Sequence, residues 1–211
     1  MTNVNPDQSV QTLAAAASNA GEFAKAYFAR LGRILSQMDV EQIARFAAEI
    51  DAARLSGHAV FIAGNGGSAT TASSMANDLG FDIIKKTGTD TPFRLLALTD
   101  NNAVLTAIAN DVGYDEVFLN QLRIHYRKGD KLIVISASGN SPNAVKAAQF
   151  VKDAGGTVIG LLGFTGGKLK ALCDVCVHVP SEAGEYGPVE DAHLVVNHIL
   201  AHWFQVTLKK A

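Results

Sequence analysis

The sequence predicts an α/β fold: a three-layer sandwich around a mostly parallel, five-stranded sheet, with additional helices at the N-terminus. Two observations predict it. Short, nearly continuous apolar runs alternate with helical stretches from His58 onward, and such runs are typical of strands that are covered on both faces. Strand–helix alternation favours right-handed crossovers and parallel pairing. Because no repeat, low-complexity tract or linker divides the 211 residues, we expect one domain over residues 1–211.

Residues 1–57 are predicted to form helices. One apolar stripe at helical spacing consists of Phe23, Tyr27, Leu31, Ile34 and Leu35. A second helix is expected to begin after Asp39, a good N-cap residue, and to end at Gly57. These helices precede the first strand. They could pack either on the domain or against another subunit.

Residues 58–211 are predicted to form the α/β core and a C-terminal helix. The five apolar runs expected as strands are Ala59–Ala63, Phe93–Leu98, Leu132–Ile135, Thr157–Leu162 and Val175–Val179. The stretches expected as helices are Ala69–Leu79, Ala103–Asn110, Pro142–Ala154, Lys168–Leu172 and Glu190–Leu208. In such sheets ligands bind beyond the carboxyl ends of the strands, so we expect the site in the strand-to-helix loops.

Composition argues against several function classes. The formal net charge of −2 gives no indication that the protein binds nucleic acid or an anionic membrane. No apolar run approaches the roughly 20 residues that span a bilayer, and the polar N-terminus lacks the features of a signal peptide. We therefore expect a cytoplasmic protein without nucleic-acid or membrane partners. Cys173 and Cys176 form a C-x-x-C with no second thiol pair, and we interpret them as ordinary, mostly buried thiols.

The loop after the first predicted strand, GNGGS at positions 64–68, has the composition of an anion site. Its glycines let the backbone approach an anion closely, and the helix that follows offers free N–H groups and a partial positive charge. Ser68 adds a hydroxyl. The alternative is a tight turn that merely requires glycine.

The loop after the third predicted strand, SASGNSP at positions 136–142, repeats this pattern. Ser141 is a good N-cap and Pro142 is tolerated at the first helical position. Capping does not explain Ser136, Ser138 and Gly139. Three hydroxyls at a helix N-terminus, with no lysine or arginine among them, suit a phosphate monoester that is held by neutral donors.

A dinucleotide site is a weaker interpretation of the first loop. Gly64, Gly66 and Ala69 fit the G-x-G-x-x-A pattern, but the acidic residue expected about 20 positions further on is missing. The sequence also lacks G-x-x-x-x-G-K-[ST], which disfavours a P-loop NTPase.

These motifs make the chain resemble the sugar isomerase (SIS) domain superfamily, and within it the isomerases of sedoheptulose 7-phosphate. The matching stretches are GNGGS at 64–68, IANDVGYDEVF at 108–118, SASGNS at 136–141, GFTGGKL at 163–169 and EDAHLVVNHIL at 190–200. The resemblance implies aldose–ketose isomerisation of a sugar phosphate by a homotetramer whose active sites are shared between subunits. We expect no obligatory cofactor for this reaction, with zinc as an open alternative.

The resemblance also implies roles for individual residues. The residues implied for phosphate and sugar binding are Asn65, Gly66, Gly67, Ser68, Asp111, Ser136, Ser138 and Ser141. Asp78 and His198 would hold the acid/base positions, and together with Glu190 they could hold zinc.

Three departures from the family pattern leave the base and the metal open. The family has glutamate at Asp78, glutamine at Glu190 and, in zinc-binding members, histidine at Ser74. Either Asp78 or Glu190 could be the base, with His198 as its partner. On one helix Glu190 and His198 lie about 12 Å apart. They can therefore meet on one substrate only if Glu190 precedes the helix or if they come from different subunits.

Two non-catalytic interpretations compete with the isomerase. One is an SIS adaptor of the type that associates with the DnaA replication initiator, and the other is a phosphosugar-sensing regulatory domain. Ser74 and Asp78 favour the adaptor because they weaken the catalytic set, whereas His198 argues against it. We expect no DNA-binding segment, which disfavours the regulator.

Overall fold

Five parallel strands form the centre of the structure, a computed structural model that describes residue 5 and residues 7–209. The strands are β1 Ala59–Gly64, β2 Arg94–Ala97, β3 Lys131–Ser136, β4 Thr157–Leu162 and β5 Val175–His178. Their order is β2–β1–β3–β4–β5, and every neighbouring pair is parallel. The predicted α/β fold is thus confirmed. Residues 1–4, 6, 210 and 211 lie outside the described residues, so one domain over residues 1–211 stays a prediction.

Helices cover both faces of this sheet. They are α1 Val10–Ala16, α2 Ala20–Ser36, α3 Val40–Leu55, α4 Gly67–Ala76, α5 Asp82–Thr87, α6 Asn102–Asp111, α7 Val117–His125, α8 Pro142–Asp153 and α9 Tyr186–Thr207. A π-helical turn, Asn77–Phe81, joins α4 to α5, and short 3₁₀ turns span Tyr114–Glu116 and Lys168–Ala171. In the part of the chain that the structure describes, no helix is both long and apolar enough to cross a membrane.

The strands are apolar throughout because both of their faces are buried. Alternate residues point to opposite faces of a strand. In β1, Val60 and Ile62 therefore enter a core shared with α3, α4 and α9, whereas Phe61 enters a second core shared with α7 and α8. The sheet, with one set of helices packed on each of its faces, forms the predicted three layers.

Several predicted boundaries were wrong. The helix expected from Glu190 begins four residues earlier at Tyr186, because Pro188 is tolerated in a first turn although it disfavours a helix interior. The stretch Lys168–Leu172 is a 3₁₀ turn that ends at Ala171. The second strand is shorter than Phe93–Leu98, and α5 and α7 were not predicted at all.

The N-terminal helices pack on the domain through a buried ion pair. Arg30 on α2 donates from Nη2 to Oε2 of Glu185 over 2.6 Å and from Nε to Oε1 over 3.0 Å. The same carboxylate accepts from the backbone N–H groups of Val10 and Glu182. Burial alone would raise the pKa of Glu185, but these hydrogen bonds hold it below its usual value. This ion pair therefore ties α1 and α2 to the start of α9.

We expect Glu185→Gln to lower the free energy of unfolding at pH 7 by about 3 kcal/mol, because it removes the carboxylate that pairs with the buried Arg30 guanidinium. Urea unfolding measures this loss. Since the pKa of Glu185 is lowered by folding, the pair stabilises the protein above the ordinary pKa of the carboxyl group. That contribution disappears as the pH falls through the folded value.

The exposed pair of Arg33 and Asp7 provides the control, because Asp7→Asn should change the free energy of unfolding by less than about 0.5 kcal/mol. Equal losses in the two variants would contradict the role given to Glu185.

A second buried polar group, His193, lies on the inner face of α9. It is wholly buried, and neither ring nitrogen completes a hydrogen bond within the described residues. Burial lowers the pKa of His193 to about 4, and His178 adds to this effect, while the Leu162 carbonyl opposes it. The side chain is therefore neutral in the folded protein at neutral pH.

We expect this histidine to make the protein acid-sensitive. Between the unfolded pKa of about 6.5 and the folded value, only the unfolded chain binds the proton, so stability falls as the pH decreases. The full effect is about 3 kcal/mol. Unfolding measured from pH 7 to pH 4 should show a shallower slope for His193→Leu than for wild type. The matched change at exposed His202 should leave the slope as it is, and an unchanged slope for His193→Leu would refute the assignment.

Candidate active site

The loops that follow β1 and β3 meet where the strand order reverses. The chain leaves β1 toward β2 on one side and leaves β3 toward β4 on the other, so a crevice opens between the carboxyl ends of β1 and β3. A cavity of about 170 Å³ lies there, lined by Asn65, Ser68, Ile135, Ser136, Ala137, Ser138, Ser141, Tyr186 and Glu190. We call this cavity the cradle. Among the described residues, none that lines it is a lysine or an arginine.

The first loop presents the N-terminus of α4 to the cradle. Gly66 occupies the N-cap position with φ 55°, a conformation that favours glycine, and Gly67 is the first helical residue. A Cβ on Gly64 would lie 2.8 Å from Ser68, so this glycine is required for close approach as well. Ser68 is buried and lines the cradle, and the N-terminus of α4 has no side-chain cap. The glycines thus serve both the turn and the exposure of the helix N-terminus.

In the second loop, two of the three hydroxyls stabilise the loop itself. Ser136 Oγ accepts from the Gly139 N–H over 3.1 Å, and Ser138 Oγ accepts from the Asn140 N–H over 3.3 Å. The third, Ser141, lies at the N-cap position of α8 as predicted, but its side chain makes no capping hydrogen bond. The predicted capping role of Ser141 is therefore wrong, and its hydroxyl remains available to a ligand in the cradle.

A side-chain network that the sequence did not predict fastens the two loops together. Asn65 and Asn143 exchange hydrogen bonds of 3.0 and 2.9 Å, and Tyr114 donates to Asn65 Oδ1 over 2.9 Å. Asn143 is buried at the start of α8. Its place one residue after Pro142, beside a suspected anion loop, is the only signal that could have identified it.

The connection between β4 and β5 supports the second loop from behind. The Leu169 N–H donates to the Gly139 carbonyl over 3.0 Å, and the Lys168 N–H donates to Asn140 Oδ1 over 3.1 Å. Gly139 has φ +65°, and a Cβ there would overlap the carbonyl oxygen of Gly166. The GFTGGKL stretch, noted in the sequence only for its resemblance, therefore fixes the shape of the cradle.

Glu190 lies at the mouth of the cradle. Its carboxylate lies so close to the start of α4 that a Cβ on Gly67 would overlap it. Burial raises the pKa of Glu190, and neighbouring Asp191 raises it further. Asp191 in turn accepts a hydrogen bond of 2.6 Å from the Tyr27 hydroxyl on α2. A carboxylate therefore lies beside a site that otherwise offers only neutral donors.

Asp78 and His198 face each other in a different cavity. Asp78 lies in the π-helical turn, and its Oδ2 is 3.8 Å from Nε2 of His198 on α9. This cavity, of about 190 Å³, is lined by Asp78, Asp82, Lys86, His198, Ala201, His202 and Gln205. The structure thus brings together the two residues expected in the acid/base positions. His202, one turn further along α9, lines the same cavity.

The structure does not bring Glu190 to this pair within one chain. Glu190 is in the second turn of α9, eight residues before His198, and eight residues rise about 12 Å along a helix. Glu190 therefore does not precede the helix. Of the two routes by which it could share a substrate with His198, only the one through different subunits remains.

Zinc does not fit the residues of a single chain. Asp78 and His198 supply two ligands, whereas Glu190 lines the other cavity. Over the described ranges, no group of three or more histidine, cysteine or carboxylate side chains could hold a metal ion.

Asp111, which the resemblance implied for binding the sugar phosphate, lies outside both cavity walls. Asp111 is the last residue of α6, and its carboxylate accepts a hydrogen bond of 2.8 Å from Asn110.

Cys173 and Cys176 are half-buried free thiols. Burial raises the pKa of Cys173 to about 12, so it is not a thiolate near neutral pH.

Known proteins are similar to this chain in both sequence and fold. The SIS domain family matches residues 26–163. Phosphoheptose isomerase of Aneurinibacillus thermoaerophilus is 40% identical over 162 residues, which are 76% of this chain and 77% of that protein. Phosphoheptose isomerase 2 of Campylobacter jejuni is 35% identical over 181 residues, covering 85% and 87%.

A solved structure agrees with these relatives. Phosphoheptose isomerase GmhA from Neisseria gonorrhoeae superposes with a TM-score of 0.78 at 29% identity, covering 89% of this chain and all of that one. The Vibrio vulnificus NanR protein superposes with a TM-score of 0.62 at 13% identity, which shows the fold alone. This chain therefore belongs to the SIS domain family, in the branch of the phosphoheptose isomerases.

Proposed function

We propose that this protein interconverts sedoheptulose 7-phosphate and the corresponding aldose phosphate in the cytoplasm. The observation that carries the proposal is the cradle, in which two serine-containing loops converge on one small cavity at the strand reversal. Its size and neutral donors suit one phosphate group. The names of the relatives supply the class of sugar.

The phosphate would be held by hydrogen bonds rather than by ion pairs. Residues at the starts of α4 and α8 line the cradle, so the positive ends of both helix dipoles lie beside it. The hydroxyls of Ser68 and Ser141 have no capping partner and complete the donor set. Such a site fixes one end of the sugar and leaves the carbonyl end for proton transfer.

The reaction needs one base and one acid. The base removes the proton from the carbon beside the carbonyl, and the acid protonates the carbonyl oxygen, which gives an enediol. Returning the proton to the neighbouring carbon, with loss of the hydroxyl proton, gives the isomer. We assign these steps to a carboxylate, Asp78 or Glu190, and to His198.

The proposal requires more than one subunit. In one chain the cradle and the pair of Asp78 and His198 open into separate cavities, so we infer a homotetramer in which neighbours complete each site. Exposed apolar side chains on α9, Ile199, Trp203 and Val206, support an interface there. An apolar groove between α3 and α9 adjoins them. No residue of α6 is fully buried, which also favours contact with another chain.

We expect the purified protein to convert sedoheptulose 7-phosphate, and His198→Asn to lower kcat at least about 100-fold because it removes the group that transfers the proton. Proton NMR of the sugar measures the rate. His202→Asn, which changes the same cavity one turn further along α9, should leave kcat unchanged. If wild type binds the sugar without converting it, the non-catalytic adaptor becomes the better interpretation.

We expect Asn143→Leu to weaken the binding of inorganic phosphate about tenfold, because it removes two hydrogen bonds that hold the loops together. Isothermal titration calorimetry measures this binding. The matched change is Asn120→Leu, since Asn120 bonds only within its own segment of the chain, where it donates to the Glu116 carbonyl and accepts from Arg123. Equal affinity in wild type and Asn143→Leu would show that the network does not shape the cradle.

A further inference from the structure

The contact between Asp78 and His198 depends on how the aspartate is held. Its side chain is short and comes from a π-helical turn, whereas His198 lies on a separate helix. Lys86 lines the same cavity, where it pairs with Asp82 over 2.9 Å. A carboxylate that is free to turn would spend part of its time away from the histidine.

One side chain on α9 restrains the carboxylate. Asn197 Nδ2 donates to Asp78 Oδ2 over 2.7 Å. This is the same oxygen that faces His198 Nε2 at 3.8 Å. The other oxygen, Oδ1, accepts from Asn77 over 3.0 Å, but that residue is the chain neighbour of Asp78 and moves with it. Of these two amides, only that of Asn197 fixes the carboxylate relative to the helix that carries the histidine.

Asn197 is also poorly accommodated where it lies. Its side chain is fully buried, and its Oδ1 has no hydrogen-bond partner among the described residues. A buried amide with an unpaired acceptor is unfavourable, and an apolar side chain of similar size would avoid that loss. A residue that weakens the core while touching a reacting carboxylate is typical of a functional position.

We propose that Asn197 is a positioning residue for the isomerisation: its amide holds the Asp78 carboxylate against His198. This inference rests on the proposed function, because it assigns Asp78 and His198 to proton transfer. Adjacent residues on α9 have different surroundings: Asn197 is buried in the core, whereas His198 lines the open cavity.

The test is Asn197→Leu, which keeps the volume and removes the donor. We expect kcat to fall about 30-fold, since displacement of a reacting group by about 1 Å has effects of this order. We expect KM to change less than twofold because Asn197 does not line the cradle. The melting temperature should equal or exceed that of wild type. A structural role would give the opposite result, a lower melting temperature with kcat preserved, and would overturn the proposal.

His193→Leu is the matched control. His193 lies one turn before Asn197 on the same buried face of α9 and also has unpartnered polar atoms, but its ring nitrogens make no hydrogen bond to Asp78. We expect this variant to keep the wild-type kcat. An equal fall in kcat in both variants would mean that any change in the α9 core disturbs the site, and would overturn the specific role of Asn197.

Crystal structures separate this inference from the proposed function. If wild type does not convert sedoheptulose 7-phosphate, the proposed function fails, but the position of Asp78 can still be measured. In Asn197→Leu we expect the carboxylate to turn away from His198. A carboxylate that keeps its wild-type place in the variant would overturn the positioning role, whatever the activity of the protein.

Discussion

The parallel pairing of β1 with β3 is the constraint on which the site depends. Gly64 pairs with Ile135 in the register of these strands, so the two strands end at the same level and both loops begin side by side. Their crossovers leave in opposite directions, which keeps the space above them open. The apolar faces of both strands fix this register, because a shift by one residue would exchange the two cores.

The chemistry of the cradle follows from what surrounds it. Helix N-termini and hydroxyls provide donors without bringing in a cation, and the β4–β5 connection holds the second loop rigid behind Gly139. Glu190 adds a carboxyl group at the mouth of the cradle. Burial raises the pKa of this group, which favours its neutral form. The site therefore combines preorganised donors with one group that can exchange a proton.

Helix α9 connects the two halves of the proposed site. Glu190 faces the cradle, Asn197 and His198 face Asp78, and Trp203 is exposed beside the apolar groove. The rise of the helix keeps Glu190 away from His198 within one chain. The same geometry allows each end of the helix to serve a different subunit, which is why the proposed reaction and the proposed tetramer depend on each other.

The sequence alone determined the α/β fold, the strands and the two loops, because these features have local signals: continuous apolar runs, glycines and hydroxyls directly after them. Through resemblance it also suggested Asp78 and His198 for the acid/base positions, and the structure has these side chains 3.8 Å apart. Only the tertiary structure decided the π-helical turn, the start of α9 at Tyr186, and the contacts of Asn143 with Asn65 and of Asn197 with Asp78. Those contacts join residues 78 and 119 positions apart. No local pattern records them, since they arise only when packing of the apolar faces brings distant elements together.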